Sequence, residues 1–203
     1  MTATTSRPPI KVDTNSGADA HARSANTADN SLKSYPAPPQ LSTPTDLKPE
    51  GVKAIVEALN ALVADSFALY VKTKNFHWHL GTSHFRDYHL LFDEHADQVF
   101  ATIDVIAERV RKVGGTTLRS IGHIAQLQRV QDNNADFVTP LDMVNELIDE
   151  NKKMVSNMRA AHEICDDNKD VATASFLEVF IDETERRIWF LFEISQGGSD
   201  HTH

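Results

Sequence analysis

The chain has 203 residues, 40% apolar and 24% charged, with a formal charge of −9, which suits one globular domain plus some unstructured sequence. A single cysteine, Cys165, excludes an internal disulfide and the multi-cysteine zinc patterns, so any metal must be held by the ten histidines and 29 acids. No stretch approaches the ~18 to 20 consecutive apolar residues of a membrane helix and no apolar signal segment opens the chain, so a cytoplasmic location without membrane contact is expected.

Residues 1 to 45 hold six of the eight prolines and one aromatic, Tyr35, among Ala, Ser, Thr and Asn. Such a composition cannot bury a core, and a disordered N-terminal tail is expected. Arg7, Lys11, Arg23 and Lys33 against Asp13, Asp19 and Asp29 leave this tail at +1 and the remaining chain at −10. A second flexible tail is expected over residues 197 to 203, where Gly197 and Gly198 follow the last apolar residue.

From 46 to 196 the apolar residues recur with helical period, and no alternation long enough for a sheet is present. The first helix is expected from Asp46 or Pro49 to about Leu80, with Val52, Ile55, Leu59, Leu62, Leu69 and Phe76 on one stripe. Gly81 ends it, and Ser83 is positioned to cap the second helix. That helix carries Phe92, Ala96, Val99, Ile103, Ile106 and Val110 inward and stops at Gly114-Gly115. The segment from Thr116 to Thr139 is too long for a turn, and Ile121, Ile124, Leu127 and Val130 give it a short helix of its own. Thr139-Pro140 opens the third long helix, with Leu141, Val144, Ile148, Val155, Met158 and Cys165 in register. Asp166-Asp167-Asn168 closes it, and a fourth helix follows with Leu177, Ile181, Ile188 and Leu191 inward. The expected fold is all-α: a four-helix bundle with a short helix in the long crossover between helices two and three, the ferritin-like connection.

The second helix is dense in potential metal ligands. His89 and Asp93 form one i, i+4 pair, and Asp104 and Glu108 another, both beside the core stripe. At ~1.5 Å per residue the pairs lie about 16 Å apart, whereas ligands sit about 2 Å from a shared ion. Two arrangements remain: two separate weak sites, or one composite site in which an antiparallel second chain brings its Asp104 and Glu108 against His89 and Asp93. A two-fold axis near Phe100 would build two such sites per dimer. His77, at the end of the first helix, completes a set of His77, His89, Asp93, Asp104 and Glu108. Imidazole and carboxylate without thiolate suit iron(II), manganese or zinc, with iron favoured for redox work.

Asn75-Phe76-His77-Trp78-His79, then His89-Leu90-Leu91-Phe92-Asp93, then Asp104-Val105-Ile106-Ala107-Glu108-Arg109, resembles the signature of the Dps family, the ferritin-like DNA-protection proteins of starved cells. The resemblance extends over most of residues 46 to 196. It implies a hollow homododecamer built from two-fold dimers, with ferroxidase centres shared between subunits. His77, His89 and Asp93 would come from one chain and Asp104 and Glu108 from the other. It further implies oxidation of Fe2+, with hydrogen peroxide preferred, storage of a ferric mineral, and protection of DNA. No Glu in the chain is followed three residues later by His, which argues against the in-bundle di-iron site of standard ferritins. A rival of a different class is a nucleoid-binding shell that protects DNA physically.

Other residues carry competing readings. Trp78 is a candidate electron carrier or radical quencher beside the iron, as in similar proteins, and equally an interface aromatic. Asp97, between the two ligand pairs, reads either as an aid to iron entry or bridging or, preferred, as a polar neighbour of the ligands, while His79, His84 and His95 do not match ligand positions. His162 and Cys165 read as core residues of the third helix. Asp166, Asp167 and Asp170 read either as a capped acidic turn or, by resemblance, as the lining of three-fold pores that admit iron. Four cations against three anions in the tail give little counterion release, so DNA binding is expected to be weak.

Overall fold

The computed structural model describes residues 36 to 196. The tail expected over residues 1 to 45 lies outside the described residues up to residue 35, as does the tail over 197 to 203. Residues 36 to 45, grouped with the tail by composition, contain a 3-10 turn at Pro39–Leu41, closed by Ser42 Oγ donating to Ala37 O at 3.0 Å.

Five α-helices follow among the described residues, and no strand: α1 Pro49–His79, α2 Phe85–Lys112, α3 Ile121–Leu127, α4 Pro140–Asp167 and α5 Val171–Gln196. α1 packs on α2 and α4 on α5, the two hairpins meet chiefly through α1 and α4, and α3, in the crossover, lies on α1. This is the expected ferritin-like bundle. Every residue assigned inward on the first two helices is buried, and Phe76, Phe92, Ile55, Leu59, Leu62, Leu69 and Ile106 are at most 1% exposed. α1 is also long and apolar enough to span a membrane by length and composition, with a mean hydropathy of 1.5 over its most apolar window. Its apolar stripe is instead the core of the bundle.

The helix ends follow from local chemistry. Pro49 sits in the first turn of α1, where a missing N–H costs nothing. α2 stops in a Schellman turn, with Gly115 N donating to Val110 O at 2.9 Å, Gly114 N to Arg111 O at 3.1 Å, and Gly114 at φ +90°. α4 begins with Thr139 Oγ1 accepting from Asp142 N at 3.2 Å. It ends in the same type of turn as α2, but with Lys169 at φ 66° in the left-handed position.

Several sequence expectations are corrected. Ser83 does not cap α2: the N-cap is His84 and carries no side-chain cap bond. The preceding turn, closed by Phe85 N donating to Thr82 O at 3.1 Å, starts the helix one residue later. Leu141 is 49% exposed at the edge of the α4 stripe. In α5 the buried stripe runs Leu177, Thr184, Arg187, Leu191, while Ile181 is half-buried against the core and Ile188 is half-buried. His162 is not a core residue; it is half-buried, with Nε2 3.1 Å from Glu178 Oε1. Cys165 is fully buried as expected, and burial pushes its thiol up to about 12.

Candidate metal centre

The α1–α2 hairpin turns over Leu80 to His84 and brings the end of one helix against the start of the next. There the His77 and His89 rings stack with centroids 3.7 Å apart and planes 19° from parallel, and Phe85 stacks on the far side of His89 at 4.8 Å. Their hydrogen bonds are reciprocal. His77 Nδ1 donates to His89 O at 2.8 Å, and His89 Nδ1 donates to His77 O at 3.1 Å. A carbonyl can only accept, so each ring carries a proton on Nδ1, which leaves Nε2 as the atom each imidazole can offer a metal. This is the outer-shell arrangement that fixes metal-binding imidazoles.

Asp93, one turn beyond His89, places Oδ1 3.8 Å from His77 Nε2. The structure therefore places His77, His89 and Asp93 beside one another. It adds Lys74, which the sequence reading missed: Lys74 Nζ donates to Asp93 Oδ1. That bond holds the Asp93 carboxyl below its ordinary value, against the opposing effect of partial burial, and raises Lys74 in turn. The signal was present, because Lys74 precedes His77 by three residues and so shares its helix face.

Asp104 and Glu108 do not join this cluster. Both are exposed, and Glu108 Oε2 is engaged only by Lys112 at 2.9 Å. Asp104 borders an open cleft of about 490 Å³ lined by Val63, Phe67, Phe100, Ile103, Ala107 and Leu118. Phe100, 52% exposed, stands midway between the two acid groups, its ring 5.0 Å from that of Tyr70. Among the described residues of one chain, no group of three or more His, Cys, Asp or Glu converges tightly enough to hold a metal ion by itself. Each chain carries two separate groups of candidate ligands, His77, His89 and Asp93 at the α1–α2 turn and Asp104 with Glu108 farther along α2, with the exposed Phe100 between them.

Trp78 is 65% exposed at the end of α1. Asp97 is exposed on α2, close enough for its charge to act on Lys74. Asp166 and Asp167 are exposed, but Asp170 is 2% exposed. Its carboxylate pairs with Arg109 and caps α5 by accepting from Thr173 N at 3.2 Å. Asp170 is therefore a structural residue rather than a free pore carboxylate.

A ferritin-like domain model matches residues 56–196. An uncharacterised low temperature-induced protein from a Nostoc strain is 33% identical over 152 residues, covering 74% of this chain and 85% of that protein. A DNA protection during starvation protein from Brevibacillus brevis is 28% identical over 133 residues, 66% of this chain and 89% of the relative. The X-ray structure of Dps from Thermosynechococcus elongatus is similar with a TM-score of 0.69 at 26% identity, covering 71% of this chain and 92% of that one.

Proposed function

The chain belongs to the Dps family of ferritin-like proteins, and from that premise we propose that it oxidises Fe2+, preferably with hydrogen peroxide, at centres shared between two subunits. The ferric product is stored as an oxide-hydroxide inside a hollow homododecamer in the cytoplasm. Removing ferrous iron and peroxide together protects DNA chemically, and DNA contact is weak because the body of the chain is acidic.

The observation that carries this reading is the reciprocal His77–His89 lock beside Asp93. It anchors two imidazoles through Nδ1 and leaves Nε2 of each to serve as a ligand, yet the set is incomplete within one chain. An antiparallel partner across the Phe100 surface supplies the missing charge through Asp104 and Glu108. It also covers the apolar cleft that a lone subunit exposes.

Iron is the substrate. Two Fe2+ give up one electron each, and one hydrogen peroxide accepts both as its O–O bond breaks and its oxygens leave as hydroxide. Hydrolysis of the two ferric ions to FeOOH then releases protons. A two-electron reduction produces no hydroxyl radical. The protein's share is binding and orientation, while the electron transfer is the metal's chemistry. Trp78, exposed beside His77, is placed to intercept a stray oxidising equivalent at the centre.

Anaerobic Fe2+ mixed with the protein and then with peroxide should show ferric absorbance rising well above protein-free buffer. His77→Ala with His89→Ala should lower the initial rate at least ~10-fold, the scale reported for disturbed metal shells, with helicity unchanged. A wild-type rate equal to buffer would leave only a non-enzymatic, DNA-covering shell.

A further inference from the structure

Three side-chain nitrogens without a hydrogen-bond partner in the described interior belong to two residues, Nδ1 and Nε2 of His95 on α2 and Nη1 of Arg187 on α5. Both residues are 2% exposed. Arg187 is held by its other nitrogens, Nε donating to Asn151 Oδ1 at 3.0 Å and Nη2 to Thr184 Oγ1 at 2.6 Å. Both acceptors are neutral, and Glu183, the carboxylate whose charge bears on Arg187, is on the surface. The charges that bear on His95 are likewise cationic: Arg187 itself and Arg186, whose own carboxylate neighbour, Glu94, lies on the surface at 3.7 Å.

Arg187 is therefore a buried guanidinium hydrogen-bonded only to neutral groups, while the buried carboxylates Asp65 and Glu150 are paired with other cations, Asp65 with Arg129 and Glu150 with Lys72 and Lys153. A buried ion is tolerated where it is paired and its hydrogen-bonding capacity is filled, and Arg187 meets neither condition through protein atoms. Nη1 can only donate. The His95 ring offers one N–H donor in either tautomer.

We propose that a chloride-sized monovalent anion binds inside the bundle between Arg187 Nη1 and the His95 ring, accepting a hydrogen bond from each. Water would fill the hydrogen bonds and leave the charge unbalanced. A cation is repelled by the guanidinium, although His95 keeps a lone pair. A phosphate or sulfate needs more donors than these two side chains supply. The site lies on the buried side of α2, away from the half-exposed Asp93, and is separate from the metal centre. The anion ties α2 to α5 where the helices otherwise touch sparingly.

Crystals of the full-length assembly soaked in sodium bromide, measured at the bromine edge, should give an anomalous peak between Arg187 and His95. Bromide on the surface but none there would overturn the proposal. In solution, exchanging gluconate for chloride at fixed ionic strength should raise the unfolding midpoint saturably, by roughly 2–4 °C. Arg187→Met should abolish that dependence. If it does not fold, His95→Phe, which keeps the guanidinium and removes one donor, should shift half-saturation to about tenfold higher chloride. No chloride effect in the wild type, or an equal effect in the variants, would overturn the proposal.

Discussion

Asp93 is claimed by two chemistries at once. The carboxylate that the family resemblance assigns to iron is hydrogen-bonded by Lys74, and under the proposed function an incoming Fe2+ has to displace or share with that ammonium. The Asp93 side chain is 41% exposed, so the pair is partly screened and is worth on the order of 1 kcal/mol at most. Lys74→Met should accordingly tighten Fe2+ binding about fivefold in anaerobic titrations and return the Asp93 carboxyl toward its ordinary range, as read by carboxyl carbon shifts against pH. Weaker iron binding in that variant would make Lys74 a helper rather than a competitor. His95 gives a different pH signature. Burial, aided by the Arg187 and Arg186 charges, lowers it to about 3, far below the unfolded value near 6.5. The unfolded chain thus binds the proton more readily. The contribution of neutral His95 to stability is complete above pH 6.5 and declines as pH falls toward 3, by up to ~1.4 kcal/mol per pH unit. In halide-free buffer, His95→Phe should flatten the loss of stability between pH 6.5 and 5, the window above most carboxylate titrations; parallel wild-type and variant curves would show that His95 does not titrate there.

At the scale of helices, the legible features were those written in short-range chemistry. The stripes of α1 and α2, the Gly114-Gly115 stop and the Thr139-Pro140 start all appear as read, because each is fixed by residues within one or two turns. α5 was misread in part because its buried stripe includes Thr184 and Arg187, and hydropathy cannot foresee a buried guanidinium that donates to Asn151 on another helix. Asp170 was ambiguous for a related reason: its partner Arg109 is 61 residues away, and sequence spacing carries no trace of that pairing. The candidate metal centre divides the same way. The His77, His89 and Asp93 cluster and its separation from Asp104 follow from helical geometry, whereas the reciprocal backbone bonds that set the imidazole tautomers required the hairpin itself. One helix end remains poorly matched to its sequence. Lys169 occupies the left-handed position of the α4 stop, where Cβ sterics penalise any residue but glycine. Lys169→Gly should therefore stabilise the fold by about 1 kcal/mol, reduced somewhat by the greater freedom of glycine in the unfolded chain. A denaturant midpoint unchanged or lowered by that substitution would mean that the Lys169 side chain contributes something beyond its backbone conformation.

For the whole molecule, the proposed centre, with His77, His89 and Asp93 from one chain and Asp104 and Glu108 from its partner, makes oligomerisation a chemical requirement, and this has a quantitative consequence. His77→Ala disables one half-site of a chain and leaves its Asp104 and Glu108 intact; Asp104→Asn with Glu108→Gln does the reverse. Each variant alone builds two-fold dimers in which every centre has one disabled half, so each should oxidise iron only slowly. When the variants are co-expressed or unfolded and reassembled together in equal amounts, about half of the dimers are mixed by random pairing. In a mixed dimer one centre receives both disabled halves and the other receives both intact halves. About a quarter of all centres are then complete, and the initial ferroxidation rate should recover to about a quarter of the wild-type value. Centres formed within single chains behave differently, since every chain then carries a defect and mixing restores nothing. The uncovered surface between the half-sites supplies the control. Phe100, 52% exposed between the acid pairs, should tolerate Glu as a folded single chain but not as a dimer, because burying a carboxylate against its own symmetry copy is strongly unfavourable. Phe100→Glu is therefore expected to retain its helicity, sediment as smaller species and fail to complement either variant, which ties the recovered quarter to contact across this face rather than to exchange of iron in solution.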